Sequence, residues 1–194
     1  ALFPDLARAD GTVQPRTMRL VVLAPSEEEA PDSSLSYMLA RFVDWYGAPG
    51  EHGVTHVFAR DTIDADALHD ALERAVRDDV PLALLGTSFA LVFADEALGA
   101  QRYALPAGSR IMQTGGFKGR SRELVPEQMR ALLSARYGVP ESHIVAEYGM
   151  TELSSQLYET TLAAALRGEP DAPRMLWAPP WMRATPVDPE TLAP

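Results

Sequence analysis

The stretch LALLGTSFAL, residues 82–91, decides the fold class, because an apolar strand-like run passes through a turn of small residues into a helical segment. Its centre, GTSFA at 86–90, has the Gly-x-Ser-x-small spacing of a nucleophile elbow, which exposes a serine on a sharp strand-to-helix turn. Two hypotheses follow from this turn. Either Ser88 is a nucleophile, or the small residues leave room for a ligand at the end of the strand.

The composition is typical of a globular protein. The chain has 194 residues, of which 46% are hydrophobic and 23% charged, so it is long enough for one domain with a hydrophobic core. It contains no cysteine, which excludes disulfides, thiolate metal sites and a cysteine nucleophile. The net charge of −10 opposes binding to nucleic acid, and no run approaches the ~20 apolar residues of a membrane span. By default we expect a cytoplasmic protein.

Short apolar runs alternate with segments of helical period along the chain. Strands are predicted over residues 18–24, 54–59, 80–85, 110–114 and 143–147, and helices over 35–46, 65–76, 89–98 and 126–137. Strands separated by helices imply parallel pairing with right-handed crossovers, hence an α/β fold with a mostly parallel sheet and helices on both faces. We assign residues 1–178 to this domain and the proline-rich residues 179–194 to an irregular segment that leads toward a further part.

Three loops that follow predicted strands are candidates for a binding site, since ligands of such sheets bind beyond the carboxyl ends of the strands. The first is the turn at Ser88. The second contains Gly115 and Gly116, whose backbone can approach a ligand closely because neither residue has a Cβ. The third is YGMTE at 148–152, where an aromatic ring, a hydroxyl and a carboxylate follow one another within five residues.

The third loop has two interpretations from its residue types. A tyrosine face can stack on a purine, a threonine hydroxyl can bond a phosphate oxygen, and a carboxylate can hold the Mg²⁺ that accompanies polyphosphate. The set therefore suits a nucleotide. Alternatively, Thr151 simply caps a helix that contains Leu153 and Leu157.

Three ordered motifs closely resemble the acyl-protein synthetase (LuxE) family: GTSFA at 86–90, MQTGGFKGRSRE at 112–123 and EYGMTELSSQ at 147–156. The resemblance extends to DSSLSYM at 32–38 and PPW at 179–181. That family belongs to the adenylate-forming ligases, so the resemblance implies part of the large N-terminal domain of such an enzyme. The implied reaction is ATP-dependent activation of a fatty or other hydrophobic carboxylic acid to an acyl-adenylate, followed by acyl transfer to a thiol.

The resemblance also implies a role for each matching residue. Thr151 and Glu152 would be catalytic, with Thr151 contacting the α-phosphate and Glu152 placing Mg²⁺. The nucleotide would be bound by Gly115, Gly116, Tyr148, Gly149, Met150 and Thr151. The substrate pocket would be formed by Ser88, Phe89, Thr114 and Gly115. ATP and Mg²⁺ are the implied cofactors, and a thiol acceptor and an acyl-transfer or reductase protein are the implied partners.

Several parts of the family pattern have no counterpart in this sequence. They are the Ser/Thr/Gly-rich phosphate loop, the ribose-binding aspartate, the lysine of the mobile C-terminal lid and the acyl-accepting cysteine. We therefore expect the chain to be a middle portion of a longer ligase, weakly active or inactive alone. A non-catalytic relic or binding module would leave the same sequence pattern.

The hydrolase alternative requires an acid and then a histidine after Ser88. Asp95, Glu123 or Glu127 followed by His143 satisfy that order in the chain. His143, however, begins a predicted strand instead of lying on a late loop. This reading also leaves the motif at 148–152 without a function.

Overall fold

The protein was analysed as a computed structural model, which describes residues 2–6, 18–59, 62–116, 124–150, 153, 155–185, 187–191 and 193. The strands are β1 Arg19–Leu23, β2 Val54–His56, β3 Phe58–Ala59, β4 Thr62–Ile63, β5 Leu82–Thr87, β6 Arg110–Thr114, β7 Ile144–Tyr148, β8 Leu157–Glu159 and β9 Leu176–Trp177. The helices are α1 Ser34–Tyr46, α2 Ala65–Asp78, α3 Ser88–Ala97, α4 Pro126–Tyr137 and α5 Thr161–Ala165, with a 3₁₀ turn at Glu141–His143.

Seven strands form the main sheet, in the order β2-β1-β5-β6-β7-β8-β9. The first five are parallel to one another, whereas β8 pairs antiparallel with β7, and β9 antiparallel with β8. The predicted α/β fold with a mostly parallel sheet is therefore confirmed. The two antiparallel strands continue the sheet beyond β7, and no strand was predicted there.

The core consists of two apolar layers, one on each face of the sheet. Side chains alternate along a strand, so Val21 packs on the layer formed by α2, α3 and α4, while its neighbour Val22 packs on the layer that contains α1 and α5. The strand β5 is apolar and fully buried from Leu82 to Leu85, as expected for a parallel strand that is covered on both faces. The prediction of helices on both faces is confirmed.

Helix boundaries follow from local chemistry at three points. The Ser33 hydroxyl accepts a hydrogen bond from the backbone of Ser36 and begins α1, and the Asp64 carboxylate accepts one from the backbone of Ala67 and begins α2. Gly138 ends α4 with a φ of 69°, in the left-handed region that glycine adopts without strain.

Three boundary predictions need correction. The run 54–59 is not one strand: after β2 the chain turns away at Val57, whose backbone still donates to Val22, and Phe58 pairs with Ile63 in a separate hairpin. Leu157 lies in β8 and not in the helix that Thr151 was expected to cap. The strand predicted from residue 80 begins at Leu82.

The described N-terminal residues are anchored to the amino end of β6. Arg110 is fully buried and forms two hydrogen bonds with the carboxylate of Asp5, at 2.6 and 2.7 Å. It also donates to the carbonyl oxygen of Leu2, and the ring of Phe3 stacks on Tyr46 of α1 with centroids 4.1 Å apart. These contacts lie at the amino end of β6, opposite to the carboxyl ends of the strands that carry the candidate loops.

The described part of the proline-rich segment from 179 onward contains no helix or strand. It contacts the domain through Trp181, whose indole N–H donates to the hydroxyl of Ser155 at 2.6 Å. Among the described residues, no helix combines the length and apolar character that a membrane crossing requires.

Candidate functional site

A cleft of about 530 Å³ opens at the carboxyl ends of β5, β6 and β7, between these strand ends and α1. Its polar lining is Ser34, Thr87, Thr114, Glu147 and Gln156, and its glycines are Gly115, Gly116 and Gly149. Its apolar lining is Leu35, Met38, Phe89, Met150 and Leu153. A lining that combines apolar side chains with a few polar groups is typical of small-molecule sites.

Parallel pairing brings the predicted loops together at this edge. Thr87 is the register partner of Thr114, and Thr114 is the partner of Glu147, so these three side chains lie side by side near the carboxyl ends of three strands. The predicted residues that line the cleft are Phe89, Thr114, Gly115, Gly116, Gly149 and Met150. They come from segments more than 20 residues apart in the chain, and the sheet places them around one cavity.

The turn at the end of β5 is stabilised by its own side chains. The hydroxyl of Thr87 accepts a hydrogen bond from the backbone of Ala90 and caps α3. Ser88 is only 7% exposed, and its hydroxyl donates to the carbonyl oxygen of Gly115 at 2.8 Å. Ser88 therefore does not line the cleft; it holds the next loop in place.

The glycine pair after β6 forms one rim of the cleft. Gly115 has a φ of 63°, so the turn is strained for any residue with a Cβ. At both Gly115 and Gly116 the position of a Cβ is open space within 4 Å, so the backbone here is accessible to a ligand. The basic residues that follow, Lys118 and Arg120, lie outside the described residues.

Glu147 is a site residue to which the sequence interpretation gave no role. Its side chain is 7% exposed, lines the cleft, and accepts a short hydrogen bond from the hydroxyl of Thr114. Burial raises the pKa of Glu147 above its ordinary value of 4.5, and the hydrogen bond from Thr114 lowers it by less. The signal was present in the sequence, as an acidic residue at the end of the otherwise apolar strand IVAEY.

Tyr148 occupies the rim of the cleft. Its ring is half exposed, and its hydroxyl points to the sulfur of Met150, at 4.0 Å. It is not part of the cleft lining, whereas Met150 is. Half of the Tyr148 side chain is therefore accessible to solvent or to a ligand.

Thr151 and Glu152, the residues with the predicted catalytic and metal-binding roles, lie outside the described residues. Within the described part of the chain, no group of three or more His, Cys, Asp or Glu side chains is arranged to hold a metal ion. A Mg²⁺ ion that is bound mainly through nucleotide phosphates requires only one or two carboxylates.

The geometry does not support a catalytic pair between Ser88 and His143. His143 precedes β7, at the amino end of the sheet, and its ring nitrogen Nδ1 lies 3.0 Å from the carbonyl oxygen of Ser109. Ser88 follows β5 at the carboxyl end, so the length of the sheet separates the two residues. Asp95, the first candidate acid, forms an ion pair with Arg136 at 2.7 Å.

No known family model matches this chain, and no curated protein matches it either. The interpretation of the site therefore rests on its geometry and on the chemistry of its residues.

Proposed function

We propose that the cleft binds a nucleotide together with a hydrophobic carboxylic acid, and that the chain belongs to an ATP-dependent, LuxE-like adenylate-forming ligase. In the proposed reaction the carboxylate oxygen of the acid attacks the α-phosphorus of ATP, and the bond to pyrophosphate breaks. A thiolate then attacks the acyl carbon, and AMP leaves. The acid is a fatty acid or another acid with an apolar body.

The observation that carries the proposal is the convergence of the candidate loops on one cleft. An apolar wall of Leu35 and Met38 faces a rim of accessible glycine backbone at Gly115 and Gly116. An acid with a long apolar body fits the wall, whereas an anionic phosphate fits the backbone N–H groups of a glycine turn. One cavity thus offers both kinds of surface that an acyl-adenylate needs.

Some of the residues that would bind ATP and Mg²⁺ belong to the described part of the chain, and others lie outside it. Tyr148 would stack on adenine, and Gly149 would let the backbone pass close to the nucleotide. Thr151 would contact the α-phosphate, and Glu152 would hold Mg²⁺. The ion would neutralise charge that develops on the phosphates.

The contribution of the protein is chiefly positioning. The proposed attack needs no nucleophilic side chain, because the substrate supplies its own carboxylate. The Ser88 hydroxyl already serves as a donor to Gly115, so it has a structural function that is compatible with this chemistry. Preorganised N–H groups at the rim would stabilise charge without reorganisation.

A binding measurement tests the proposal. Calorimetry with a non-hydrolysable acyl-adenylate, dodecanoyl-sulfamoyl-adenosine, should give saturable heats with the wild-type chain. Met38→Trp places a bulky ring in the cleft and should weaken binding at least tenfold. The matched control is Tyr37→Trp on the same helix, where the side chain is 55% exposed and does not line the cleft. Equal affinity in all three chains would contradict the proposal.

Two outcomes would favour the alternatives. Binding of dodecanoate without any binding of AMP or of the adenylate would identify a non-catalytic acyl-binding module. Covalent labelling of Ser88 by a fluorophosphonate probe would identify a serine hydrolase.

A further inference from the structure

Glu147 stands out in the cleft because burial of a carboxylate costs free energy unless the group is paired and hydrogen-bonded. Its side chain lies at the end of β7, and the hydroxyl of Thr114 at the end of β6 donates to it. No basic side chain among the described residues contributes to the pKa of Glu147. A charged salt bridge therefore does not explain its burial.

The second carboxylate oxygen of Glu147, Oε1, occupies the space beside Gly149. A Cβ built on Gly149 would lie 2.5 Å from Oε1 of Glu147 and 3.3 Å from Cγ of Gln156, so the Glu147 carboxylate would have to shift to admit a side chain there. The φ of Gly149 is not in the left-handed region, so what opposes a side chain here is the Glu147 carboxylate and not the backbone conformation. The Glu147 carboxylate thus takes the space that a side chain at residue 149 would enter.

We propose that Glu147 is a positioning residue of the cleft, which fixes the hydroxyl of Thr114 on one side and the path of the chain at Gly149 and Met150 on the other. Met150 lines the cleft, so the carboxylate sets the shape of the cavity through both neighbours. The identity of the ligand in this inference rests on the proposed function. The shape of the unliganded cleft does not depend on that function.

The role is geometric and not that of a direct ligand contact or a metal ligand. Glu147→Gln keeps the size of the side chain and an oxygen that can accept from Thr114, so this variant should retain affinity for the acyl-adenylate analogue within about threefold. Glu147→Ala removes the support and should weaken binding at least tenfold. If Glu147→Gln weakened binding as much as Glu147→Ala, the carboxylate charge would be what matters, and the inference would fail.

A test that needs no ligand uses the methyl resonances of methionine. The chain has 7 methionines, and the signals of Met38 and Met150 can be assigned by substitution with leucine. Gly149→Ala should shift the Met150 methyl signal in the wild-type background, where the new Cβ would meet Oε1 of Glu147. In the Glu147→Ala background the same substitution should cause little further shift, because the obstructing atom is gone.

The matched control is Glu159→Gln. Glu159 lies on the adjacent strand, accepts from the backbone of Ala146 and does not line the cleft, so this variant removes a neighbouring carboxylate and should leave the Met150 signal in place. Equal shifts from Gly149→Ala in both backgrounds would overturn the inference. If the coupled shifts are observed but the wild-type chain binds no adenylate, the positioning role stands and the proposed function fails.

Discussion

The hydroxyl of Ser88 donates a hydrogen bond to the carbonyl oxygen of Gly115, at 2.8 Å. The bond joins the first residue of α3 to the turn that follows β6, across 27 residues of sequence. The hydroxyl of Ser88 therefore bonds to the backbone, whereas a nucleophile elbow would expose this hydroxyl to the substrate. A residue that suggests catalysis from its sequence spacing is, in the fold, a support for a ligand-facing glycine turn.

Ser88→Ala should therefore loosen the Gly115 turn without unfolding the protein. Loss of one hydrogen bond to a backbone carbonyl costs about 1 kcal/mol of unfolding free energy, measurable by urea denaturation. Ser134→Ala is the matched control, since the Ser134 hydroxyl donates to the carbonyl oxygen of Val139 at 2.7 Å, remote from the cleft. Both variants should lose similar stability, but only Ser88→Ala should weaken binding of the adenylate analogue. Equal binding by the two variants would show that the Ser88 bond does not shape the site.

Gly138→Ala should destabilise the chain through a steric conflict at the end of α4. A Cβ on Gly138 would lie 2.8 Å from the carbonyl oxygen of Tyr103, and its φ of 69° is already unfavourable for alanine. Gly99 has a similar φ of 58° with open space around it, so Gly99→Ala isolates the conformational cost, about 1 kcal/mol. We expect Gly138→Ala to cost about 2–3 kcal/mol in unfolding free energy. A cost no greater than that of Gly99→Ala would mean that the backbone near Tyr103 moves freely.

Asp5→Ala should destabilise the protein because it leaves the buried guanidinium of Arg110 without its carboxylate partner. The loss should be about 2–3 kcal/mol by chemical denaturation. Burial alone would raise the pKa of Asp5, but the hydrogen bonds and positive charge of Arg110 outweigh it and hold the pKa below 3.8. The stabilisation should thus be present above pH 3.8 and disappear as the pH falls through the lowered pKa.

The control for Asp5 is Glu169→Ala. Glu169 pairs with Arg167 at 3.5 Å, and both side chains are more than 60% exposed, so removal of this pair should change stability little. A loss for Asp5→Ala as small as that of the control would mean that water replaces the carboxylate at Arg110.

Glu147→Gln should alter the pH dependence of stability in the opposite direction. The pKa of Glu147 is raised in the folded state by burial, so its contribution to stability is complete below pH 4.5 and is lost as the pH rises through the raised pKa. Across β7 and β8 it faces Tyr158, whose pKa burial also raises, so that group stays neutral in this range. The stability of Glu147→Gln relative to wild type should increase as the pH rises above 4.5. A constant difference across this range would show that Glu147 does not titrate with folding.

Local patterns in the sequence were sufficient for most of the element assignments. The strand β6 and the helix α4 have the predicted bounds, and those of α4 follow from a proline in its first turn and a glycine after its last turn. The exceptions depend on distant pairing. Phe58 leaves the predicted strand to pair with Ile63, and Leu157 forms a strand because β7 offers it an edge.

The sequence by itself determined the alternation of strands and helices, and with it the parallel sheet and the edge at which the candidate loops meet. This is so because hydrophobic period and capping are local properties of the chain. Only the tertiary structure decided that Ser88 bonds Gly115, that Glu147 is buried against Thr114, and that the Glu147 carboxylate lies where a side chain at residue 149 would begin. Those relationships join residues that the sheet brings together, and neither their distances nor their burial can be read before the strands are placed in register.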